Sequence, residues 1–383
     1  MDSLVDSAVL GKIHEAATAD ETDRPIATKA SETPWSVDGI SLEWLDECLG
    51  SGVGKRTISD FSFKGETSGT SVRRSIQLKH SDGGSDTTVF AKTYPSFEHR
   101  VANVMTQTAQ AEGAFYLEMR PQLDIESPIG HYWSWDPETY RAIVIIEDIG
   151  ASKRASFCNW QTSISFEEAQ QVVRLLAKVH GTFLNDPKLS AKHPWLKSFH
   201  EWTQSFAYLK DQHMAAMEKA RDLLPQDLIG KGEILYDGFM SLRDDLGGMS
   251  STLIHSDVHL GNWYKTEEGN VGLLDWQCCN IGPGIRDVAY ALSTMLEIED
   301  RRKWEVDLLA SYVDQMNIHS DERYNFDSTL YDYKRFLLAA LMMWTPTLCP
   351  APNFPNMQPE EMSRKMIERI SAAISDHKVL EQI

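Results

Sequence analysis

The sequence lacks the features that would direct the chain out of a reducing compartment. Its five cysteines are odd in number and show no CxxC spacing, which indicates reduced thiols rather than a disulfide framework. The N-terminus has no basic stretch followed by an apolar run, so a secretory signal is not predicted. No window approaches the roughly 18 consecutive apolar residues that a membrane span requires. We therefore expect a cytoplasmic protein with no membrane partner.

A basic surface is also missing. The formal net charge is −19 at pH 7, which argues against a nucleic-acid partner because nucleic-acid phosphates bind basic surfaces. An acidic surface could favour a cationic substrate, but it also serves to keep a protein in solution. The sequence shows no internal repeats, and nothing in it indicates an oligomeric state. Its 383 residues are enough for two domains.

Three segments differ in their patterns. Residues 1–37 are polar and largely aperiodic, and we interpret them as an N-terminal arm, part of which forms a short helix. Residues 38–149 predict a short helix ended by Gly50, then three strands, one helix over residues 100–123, and a buried strand. From residue 150 to 383 helical spacing dominates, interrupted by short strands. The predicted fold class is α+β, with a small antiparallel sheet followed by a mainly helical part.

Local signals define several of these elements. The turn "SDGGSD" predicts a hairpin of the second and third strands, and "YRAIVIIEDIG" is almost wholly apolar, as in a buried strand. Ser165 and Glu168 form the pattern of a capping box at the start of a helix. A later hairpin is expected to turn at Gly269 and to lead into Asp275.

The stretch "HSDVHLGN" carries the clearest chemistry. His255, Asp257 and Asn262 match H-x-D-x-x-x-x-N, the spacing of a kinase catalytic loop, and Asp275 follows on the second strand of the hairpin. Phosphoryl transfer to a hydroxyl needs a carboxylate that orients the hydroxyl or accepts its proton. The accompanying Mg²⁺ needs oxygen ligands such as an amide and a second carboxylate.

The upstream segment holds a candidate for binding phosphates. Lys92, in "VFAK", lies late in the third predicted strand, where kinases place their phosphate-binding lysine. Glu112 and Glu118 on the following helix are both candidates to pair with Lys92, and we favour Glu112. The loop "KGETSGTSVRR" could fold over phosphates with its backbone N–H groups and the hydroxyls of Ser68, Thr70 or Ser71.

These residues together resemble a known group of enzymes. The segment "LIHSDVHLGNWYKTEEGNVGLLDWQCCNIGPGIRDVAYAL", with Lys92, Glu112 and "IVIIEDIG", resembles the signature of the aminoglycoside phosphotransferase and choline kinase-like superfamily of small-molecule kinases. The tripeptide "DWQ" is similar to the D-F-Q of the ecdysteroid-kinase-like branch. The resemblance covers roughly residues 38 to 350. It implies a protein-kinase-like, two-lobe fold, with a nucleotide-binding N-lobe over 38–149 and a C-lobe over 150–383.

The resemblance also implies roles for individual residues. Asp257 would be the catalytic base, Asn262 and Asp275 would bind Mg²⁺, and Lys92, paired with Glu112, would bind the α- and β-phosphates of ATP. GTP is an alternative nucleotide.

Further roles are structural or concern the purine. Backbone groups from Glu147 to Ile149 would contact the base, and Asp287 would support the catalytic loop from beneath. His255 is expected to hydrogen-bond the loop backbone.

Two positions depart from the superfamily pattern. Ser256 stands where the superfamily commonly has glycine. His259 takes the position of a lysine that touches the transferred phosphate in many protein kinases, and it either contacts phosphate or hydrogen-bonds within the loop. No A-P-E segment lies between Asp275 and Asp287, so a protein substrate is not expected.

Two other classes of protein fit parts of the pattern. A nucleotide-binding pseudokinase would keep the fold without the chemistry, although the base, the amide, the metal carboxylate and the lysine are all present. Asp257-x-His259 resembles the D-x-H of metallophosphoesterases. That site also needs a G-D-x-x-D segment and an asparagine followed by histidine, whereas this chain has no Gly-Asp dipeptide and Trp263 follows Asn262.

The acceptor site is expected in the helical part, which is rich in large apolar side chains. These side chains form either ordinary core or an apolar pocket. We expect a small-molecule alcohol that is neutral, bulky and fairly hydrophobic, such as a terpenoid, a steroid or an aromatic compound, in preference to an aminoglycoside. The residues concerned are Trp195, Trp202, Phe206, Tyr208, Met342, Met343, Trp344 and Phe354.

Overall fold

A computed structural model of the chain describes residues 5–50, 57–204, 209–246, 248–351, 356 and 358–383. It contains two compact units, which are Met1–Ser156 with Leu274–Cys278, and Phe157–Leu273 with Cys279–Ile383. The elements of the first unit are α1 (Ser7–Asp23), α2 (Leu42–Leu49), β1 (Ile58–Ser68), β2 (Val72–His80), β3 (Thr87–Thr93), α3 (Phe97–Thr106), α4 (Thr108–Ala114), β4 (Gly130–Trp135), β5 (Ala142–Glu147) and α5 (Ile149–Ser152). A two-residue strand, β6 (Ser156–Phe157), lies at the boundary between the units.

The sheet of the first unit has five antiparallel strands in the order β1-β2-β3-β5-β4. The predicted hairpin of the second and third strands is confirmed, with Val72 opposite Thr93. Strand β4, "GHYWSW", is additional to the predicted strands. It forms the edge beyond β5, with Trp135 opposite Ala142.

Alternation along the strands gives the sheet two buried faces. Ile76 and Leu78 of β2, with Val89 and Ala91 of β3, pack in one apolar core with Trp44 of α2. Because successive side chains of a strand point to opposite faces, the neighbours of Ala91 point the other way.

The opposite face of the sheet is covered by α4. Ala142 of β5 packs there with Tyr94 and with Ala109 of α4. Lys92, next to Ala91 in β3, also points to this face, and the sheet thereby directs its ammonium group towards α4. Gly113 of α4 lies so close to Trp133 of β4 that a Cβ atom at position 113 would be 2.5 Å from the indole.

The prediction of one continuous helix over residues 100–123 is wrong, because the segment is divided into several helical pieces. Helix α3 ends at Gln107, whose φ is +58°, and α4 begins at the next residue. A π-helical turn, Phe115–Met119, and a 3-10 turn, Arg120–Gln122, follow. Asn103 Oδ1 accepts the Ala109 N–H at 2.8 Å, which supplies the N-terminal cap of α4 that the break requires.

Seventeen residues of the segment interpreted as a polar arm form a helix. Helix α1 begins with Asp6 as its N-cap and buries Ile13 and Ala17. Asp20 is also buried and forms ion pairs with Arg100 and Arg141. A buried carboxylate therefore attaches α1 together with only two small or medium apolar side chains, a pattern that hydrophobic periodicity detects poorly.

The second unit is mainly helical. The predicted capping box of Ser165 and Glu168 is confirmed at the start of its first helix, and the predicted hairpin turns at Gly269, whose φ is +84°. Its helices are α6 (Phe166–Thr182), α7 (Pro187–Lys192), α8 (Phe199–Thr203), α9 (Lys210–Lys219), α10 (Gly232–Asp244), α11 (Ile285–Met295), α12 (Ile298–His319), α13 (Phe326–Leu348) and α14 (Glu360–Asp376). Its short strands are β7 (Thr252–Ile254), β8 (Trp263–Lys265), β9 (Val271–Leu273) and β10 (Asn280–Gly282).

The short strands support the loops that carry the candidate site. Strands β7 and β10 pair antiparallel, with Ile254 opposite Asn280, immediately before "HSDVHLGN". Strands β8 and β9 form the hairpin that leads along the chain to Asp275. Within the described parts of the chain, none of the helices combines the length and the apolar character needed to cross a bilayer.

Candidate active site

Lys92 lies at the centre of an ion cluster in the first unit. Its Nζ is 2.6 Å from Oε1 of Glu112 in α4 and 2.9 Å from Oδ1 of Asp275. All three side chains are largely buried, with Glu112 inaccessible to solvent. Three of the residues selected from the sequence are therefore in direct contact, and of the two glutamate candidates it is Glu112 that contacts Lys92.

Charge and burial act in opposite directions on this cluster. Burial alone would lower the pKa of Lys92, but the carboxylates of Asp275 and Glu112 outweigh it and hold the pKa above its usual range. Burial raises the pKa of Glu112, and the nearby charge of Asp275 adds to this effect against the attraction of Lys92. The lysine consequently stays a cation at neutral pH, as a phosphate-binding group must.

Asp275 is positioned by the π-helical turn that follows α4. Its backbone N–H donates to the Tyr116 hydroxyl at 3.3 Å, and the neighbouring Trp276 stacks on Phe115 with ring centroids 3.6 Å apart. The φ of Asp275 is +65°, a left-handed conformation that aspartate tolerates better than most residues. Such strained positions are common at ligand sites because the surrounding structure enforces them.

The segment expected to cover phosphates forms the tight end of the β1–β2 hairpin. Ser68 is the last residue of β1 and pairs with Val72, the first of β2. Gly69 N–H donates to Ser71 O at 3.1 Å across the turn. The hydroxyl of Ser68 is exposed, and His99 Nε2 of α3 lies 3.1 Å from the Gly69 carbonyl oxygen.

Some backbone groups of the candidate purine-binding segment are already hydrogen-bonded. Glu147 N–H donates to the Ile129 carbonyl at 2.7 Å. The Ile149 carbonyl accepts from the N–H groups of Lys153 and Ala155, at 3.0 and 3.2 Å. A base that binds here would have to use other backbone groups, such as the carbonyl of Glu147 and the N–H of Ile149.

In the second unit, Asp287 supports the candidate catalytic loop. Its carboxylate, inaccessible to solvent, accepts the backbone N–H groups of His255 at 2.6 Å and Ser256 at 3.1 Å. Arg286 Nη1 lies 3.0 Å and His180 Nε2 lies 3.6 Å from the same carboxylate. Burial would raise the pKa of Asp287, but the imidazole of His180 and the charge of Arg286 outweigh it and hold the pKa well below its usual range.

Asp257 is surrounded by hydrogen-bond donors. Its Oδ1 accepts from the Tyr290 hydroxyl at 3.3 Å, and its Oδ2 accepts from Asn262 Nδ2 at 3.3 Å. Asn262 Nδ2 also donates to the backbone carbonyl of Asp257 at 2.7 Å. The nitrogen of the Asn262 amide is thus directed at Asp257, so the amide oxygen is the atom that a metal ion would bind.

His259 is bound within the loop. Its Nδ1 accepts the Gly261 N–H at 3.0 Å, and its Nε2 lies 3.6 Å from Asp257 Oδ2. Because Nδ1 is an acceptor here, Nε2 carries the hydrogen when the ring is neutral. The ring also lies edge-on to Trp344, with centroids 5.8 Å apart.

His255 and Ser256 shape the loop from its buried side. His255 is inaccessible to solvent, and its Nδ1 accepts the Asp257 N–H at 3.1 Å. Ser256 has a φ of +70°, in the region where glycine is favoured. Its hydroxyl compensates in part by accepting a hydrogen bond from Asn280 Nδ2 at 2.5 Å.

Tyr290 and Arg286 also belong to the candidate site, although no motif in the sequence predicted them. Arg286 lies with its guanidinium 5.2 Å from the Tyr290 ring centroid and 5.5 Å from that of Trp202. The signal was present in the spacing, since residues three apart on a helix share one face. Tyr290 is three residues after Asp287, and that spacing directs both side chains to the catalytic loop.

Some of the apolar residues expected at an acceptor site are buried in the core, and others are partly exposed. Met342 and Trp344 are almost fully buried, while Trp202 and Met343 are partly exposed. Phe206, Tyr208 and Phe354 lie outside the described residues. In the second unit, a crevice with no room for a water molecule is lined mainly by large apolar side chains together with Arg286: Phe199, Trp202, Phe239, Met342 and Met343.

Residues 78–322 match the model of the phosphotransferase enzyme family (APH). This match covers well over half of the chain, from β2 to the end of α12, and includes both the Lys92 cluster and the candidate catalytic loop. The chain therefore belongs to the phosphotransferase enzyme family, as the sequence signature predicted.

Several solved structures are similar to this chain. An ethanolamine kinase from Plasmodium vivax is 13% identical, with a TM-score of 0.51 over 87% of this chain and 85% of that one. A spectinomycin phosphotransferase, solved with ADP and spectinomycin, is 16% identical with a TM-score of 0.46 over 89% and 98% of the two chains. A choline kinase from Streptococcus pneumoniae is 13% identical with a TM-score of 0.45 over 83% and 94%. The ethanolamine kinase confirms the predicted α+β, protein-kinase-like fold.

Proposed function

We propose that this phosphotransferase is a kinase that moves the γ-phosphate of ATP, or of GTP, to a hydroxyl group of a small molecule. The observation that carries the proposal is the setting of Asp257. Its side chain is 24% exposed, and both of its carboxylate oxygens accept hydrogen bonds. A fixed and accessible carboxylate is the group that such a transfer requires.

In the proposed reaction, the acceptor oxygen forms a bond to the γ-phosphorus. The bond from this phosphorus to the β,γ-bridging oxygen breaks, and ADP or GDP leaves. The hydroxyl proton passes to the carboxylate of Asp257. Tyr290 and Asn262 hold this carboxylate in one orientation, so little reorganisation is needed when the proton is transferred.

We assign nucleotide binding to the first unit. Lys92 would bind the α- and β-phosphates, with Glu112 keeping the ammonium group in place, and Ser68 would contact phosphate from the β1–β2 turn. The purine would meet the carbonyl of Glu147 and the N–H of Ile149, since the other polar backbone groups of these two residues already have partners.

The residues assigned to Mg²⁺ suit its chemistry. When bound with the nucleotide, Mg²⁺ neutralises negative charge on the phosphates. Asn262 offers an amide oxygen because its nitrogen is committed to Asp257, and Asp275 offers a carboxylate. An amide and a carboxylate, completed by phosphate oxygens, are ordinary ligands of this ion.

We further propose that His259 contacts the transferred phosphate through Nε2–H, while its Nδ1 remains bound to the loop. This arrangement combines the two roles considered from the sequence. Nε2 already lies 3.6 Å from Asp257 Oδ2, which places it beside the carboxylate that we assign as the base.

The acceptor is proposed to be a neutral and fairly bulky alcohol. Support comes from the second unit, where the large apolar side chains of Phe199, Trp202, Phe239 and Met343 lie side by side. These side chains would have to move apart to admit the acceptor, since the space between them is too small for a water molecule. Large aromatic and methionine side chains of this kind favour apolar ligands that carry few polar groups.

A screen tests the proposal directly. The purified protein is incubated with Mg²⁺, either ATP or GTP, and a panel of hydroxylated compounds that includes terpenoids, steroids, aromatic alcohols, choline and aminoglycosides. The expected result is one phosphate added to a compound, detected by mass, and its loss in the Asp257→Asn variant. Nucleotide binding without transfer would favour a pseudokinase, whereas release of phosphate from esters without ATP would favour a phosphatase.

A further inference from the structure

We infer that Asp20 of α1 is a positioning residue for the nucleotide site, because it holds Glu112 against Lys92 by way of α3 and α4. This inference rests on the proposed function, in which Lys92 binds phosphate and Glu112 keeps it in place. All of the contacts that carry it lie within the first unit.

The first step is the attachment of α1. Asp20 is 2% exposed, and its Oδ2 accepts hydrogen bonds from Arg100 Nη2 at 2.5 Å and Arg141 Nε at 3.0 Å. A second nitrogen of Arg141 donates to Asp20 Oδ1. Removing one partner of a buried ion pair leaves the other charge uncompensated and is strongly destabilising. The position of α1 is therefore firmly specified by these two arginines.

The second step is the attachment of α3. Arg100, in the middle of this helix, is inaccessible to solvent. Its Nε donates to the Tyr94 carbonyl at 3.2 Å, and its Nη1 donates to the Thr139 carbonyl at 2.9 Å. One guanidinium thus fixes α3 to the end of β3, to the segment before β5 and to α1. Without the Asp20 carboxylate, this cation would keep its hydrogen bonds to carbonyl groups and would have only the charge of Asp136 nearby to compensate it.

The third step leads from α3 to Lys92. Asn103, one turn after Arg100, accepts the Ala109 N–H at 2.8 Å and the Thr108 hydroxyl at 3.2 Å with its Oδ1. These bonds cap α4 and attach it to α3 across the break at Gln107. Glu112 lies one turn beyond Ala109, so a displacement of α3 moves the carboxylate that contacts Lys92.

Helix α3 also contacts the β1–β2 turn, which carries Ser68. His99 precedes Arg100, and its Nε2 lies 3.1 Å from the Gly69 carbonyl oxygen. A carbonyl only accepts hydrogen bonds, so Nε2 must be the donor. The position of α3 consequently affects the turn that carries Ser68 as well as Glu112.

Hydrogen exchange of the nucleotide-free protein tests this inference by itself. Asp20→Asn is compared with Glu21→Gln, which removes a charge from an exposed residue of the same helix. We expect amide exchange in peptides covering α4 to become at least tenfold faster in Asp20→Asn, because α4 opens locally more often. In Glu21→Gln it should stay within twofold of the unsubstituted protein. Unchanged exchange in α4 of Asp20→Asn would overturn the inference.

Nucleotide titration provides a second readout that a general loss of stability would not produce. The dissociation constant of MgADP is measured for Asp20→Asn, Glu112→Gln and the double variant, well below their melting temperatures. We expect Asp20→Asn to weaken binding about tenfold on its own, but less than twofold in the Glu112→Gln background, because both changes act on one contact. If the two substitutions together weaken MgADP binding by the product of their separate effects, Asp20 does not act through Glu112.

The exchange and the titration experiments together distinguish a failure of this inference from a failure of the proposed function. If the unsubstituted protein does not bind MgADP, the proposed function fails, and the exchange measurement still decides the role of Asp20. If Asp20→Asn does not fold, Arg141→Gln replaces it, because Arg141 is partly exposed and its loss leaves the Arg100–Asp20 pair intact. A smaller but measurable increase of exchange in α4 is then expected, and no increase would count against the inference.

Discussion

Asn262 donates its amide hydrogens to two oxygens of Asp257, the backbone carbonyl at 2.7 Å and the carboxylate at 3.3 Å. One side chain therefore fixes both the loop conformation and the orientation of the candidate base. This contact gives a physical reason for the five-residue spacing of the two residues. A 3-10 turn, Leu260–Asn262, brings the amide back to the start of the loop.

The first prediction concerns the base. Asp257→Asn should lower kcat by several orders of magnitude, because an amide cannot accept the hydroxyl proton, while the dissociation constant of MgATP stays within a few-fold. Steady-state kinetics and calorimetric titration measure the two quantities. Asp314→Asn, an exposed change on α12, is the control. Turnover close to that of the unsubstituted protein would remove Asp257 from this role.

The second prediction concerns Asp275, the proposed metal ligand in the first unit. Asp275→Asn should weaken MgADP binding at least tenfold, whereas binding of ADP in the presence of a chelator should change much less. The reason is that an uncharged amide compensates the charge of Mg²⁺ poorly. Glu15→Gln, on the exposed side of α1, is the control. Equal losses with and without Mg²⁺ would indicate that Asp275 acts only through Lys92.

The third prediction concerns Tyr290, which sequence reasoning did not select. Tyr290→Phe removes the donor to Asp257 Oδ1 without changing the ring, and a hydrogen bond to a charged group contributes about 1.5–3 kcal/mol. We expect kcat to fall by roughly tenfold while KM for the nucleotide stays within twofold. Tyr331→Phe, at an exposed site on α13, should leave both unchanged. A rise in KM with constant kcat would mean that Tyr290 does not orient the base.

The fourth prediction concerns backbone strain at Ser256. Ser256→Gly and Ser256→Ala both remove the hydrogen bond from Asn280, but only glycine adopts a φ of +70° without strain. Alanine should therefore be less stable than glycine, by about 1 kcal/mol in the free energy of unfolding. Urea unfolding of the two variants measures this difference. Equal stability would show that the loop relaxes to another conformation.

The fifth prediction concerns pH. Burial lowers the pKa of His213 to about 4, and the ring is held by Thr345 and the Gly232 carbonyl. In the unfolded chain, His213 takes up a proton near pH 6.5, whereas in the folded chain it stays neutral down to about pH 4. The contribution of the neutral, buried His213 to the free energy of unfolding is therefore complete above pH 6.5. It is lost progressively as the pH falls towards 4.

The resulting loss of unfolding free energy amounts to about 3 kcal/mol between these limits. Urea unfolding at several pH values should show a steeper loss for the unsubstituted protein than for His213→Gln, which does not titrate. His14→Gln, an exposed change in α1, should keep the steep dependence. Parallel curves for the unsubstituted protein and His213→Gln would contradict the lowered pKa.

Sequence patterns predicted correctly those features that depend on interactions between residues close together in the chain. Alternation in β3 places Lys92 and Ala91 on opposite faces of the sheet, and the motif spacing places Asp257 and Asn262 in one loop. Turn signals located the hairpins at residues 81–86 and at Gly269. Each of these inferences depends on neighbours within a few residues, for which backbone geometry alone is decisive.

Other features were missed because their causes are distant in the sequence. The left-handed Gln107 that ends α3 has no local signal, and the broken helix is stabilised by the side chain of Asn103 and by packing on the sheet. Helix α1 is attached by Arg100 and Arg141, which lie 80 and 121 residues from Asp20. Periodicity cannot reveal the part of this attachment that consists of ion pairs with distant residues.

Gly113 has no side chain, and the indole of Trp133 packs directly against its backbone. This contact sets the distance between α4 and the sheet. A methyl group at position 113 would push this helix outward by roughly an ångström, since packed interiors leave no spare room. Glu112 would move with it and stretch its contact with the lysine. Nucleotide affinity could therefore be adjusted, in nature or by an engineer, at a residue that touches neither the nucleotide nor any charged group of the cluster.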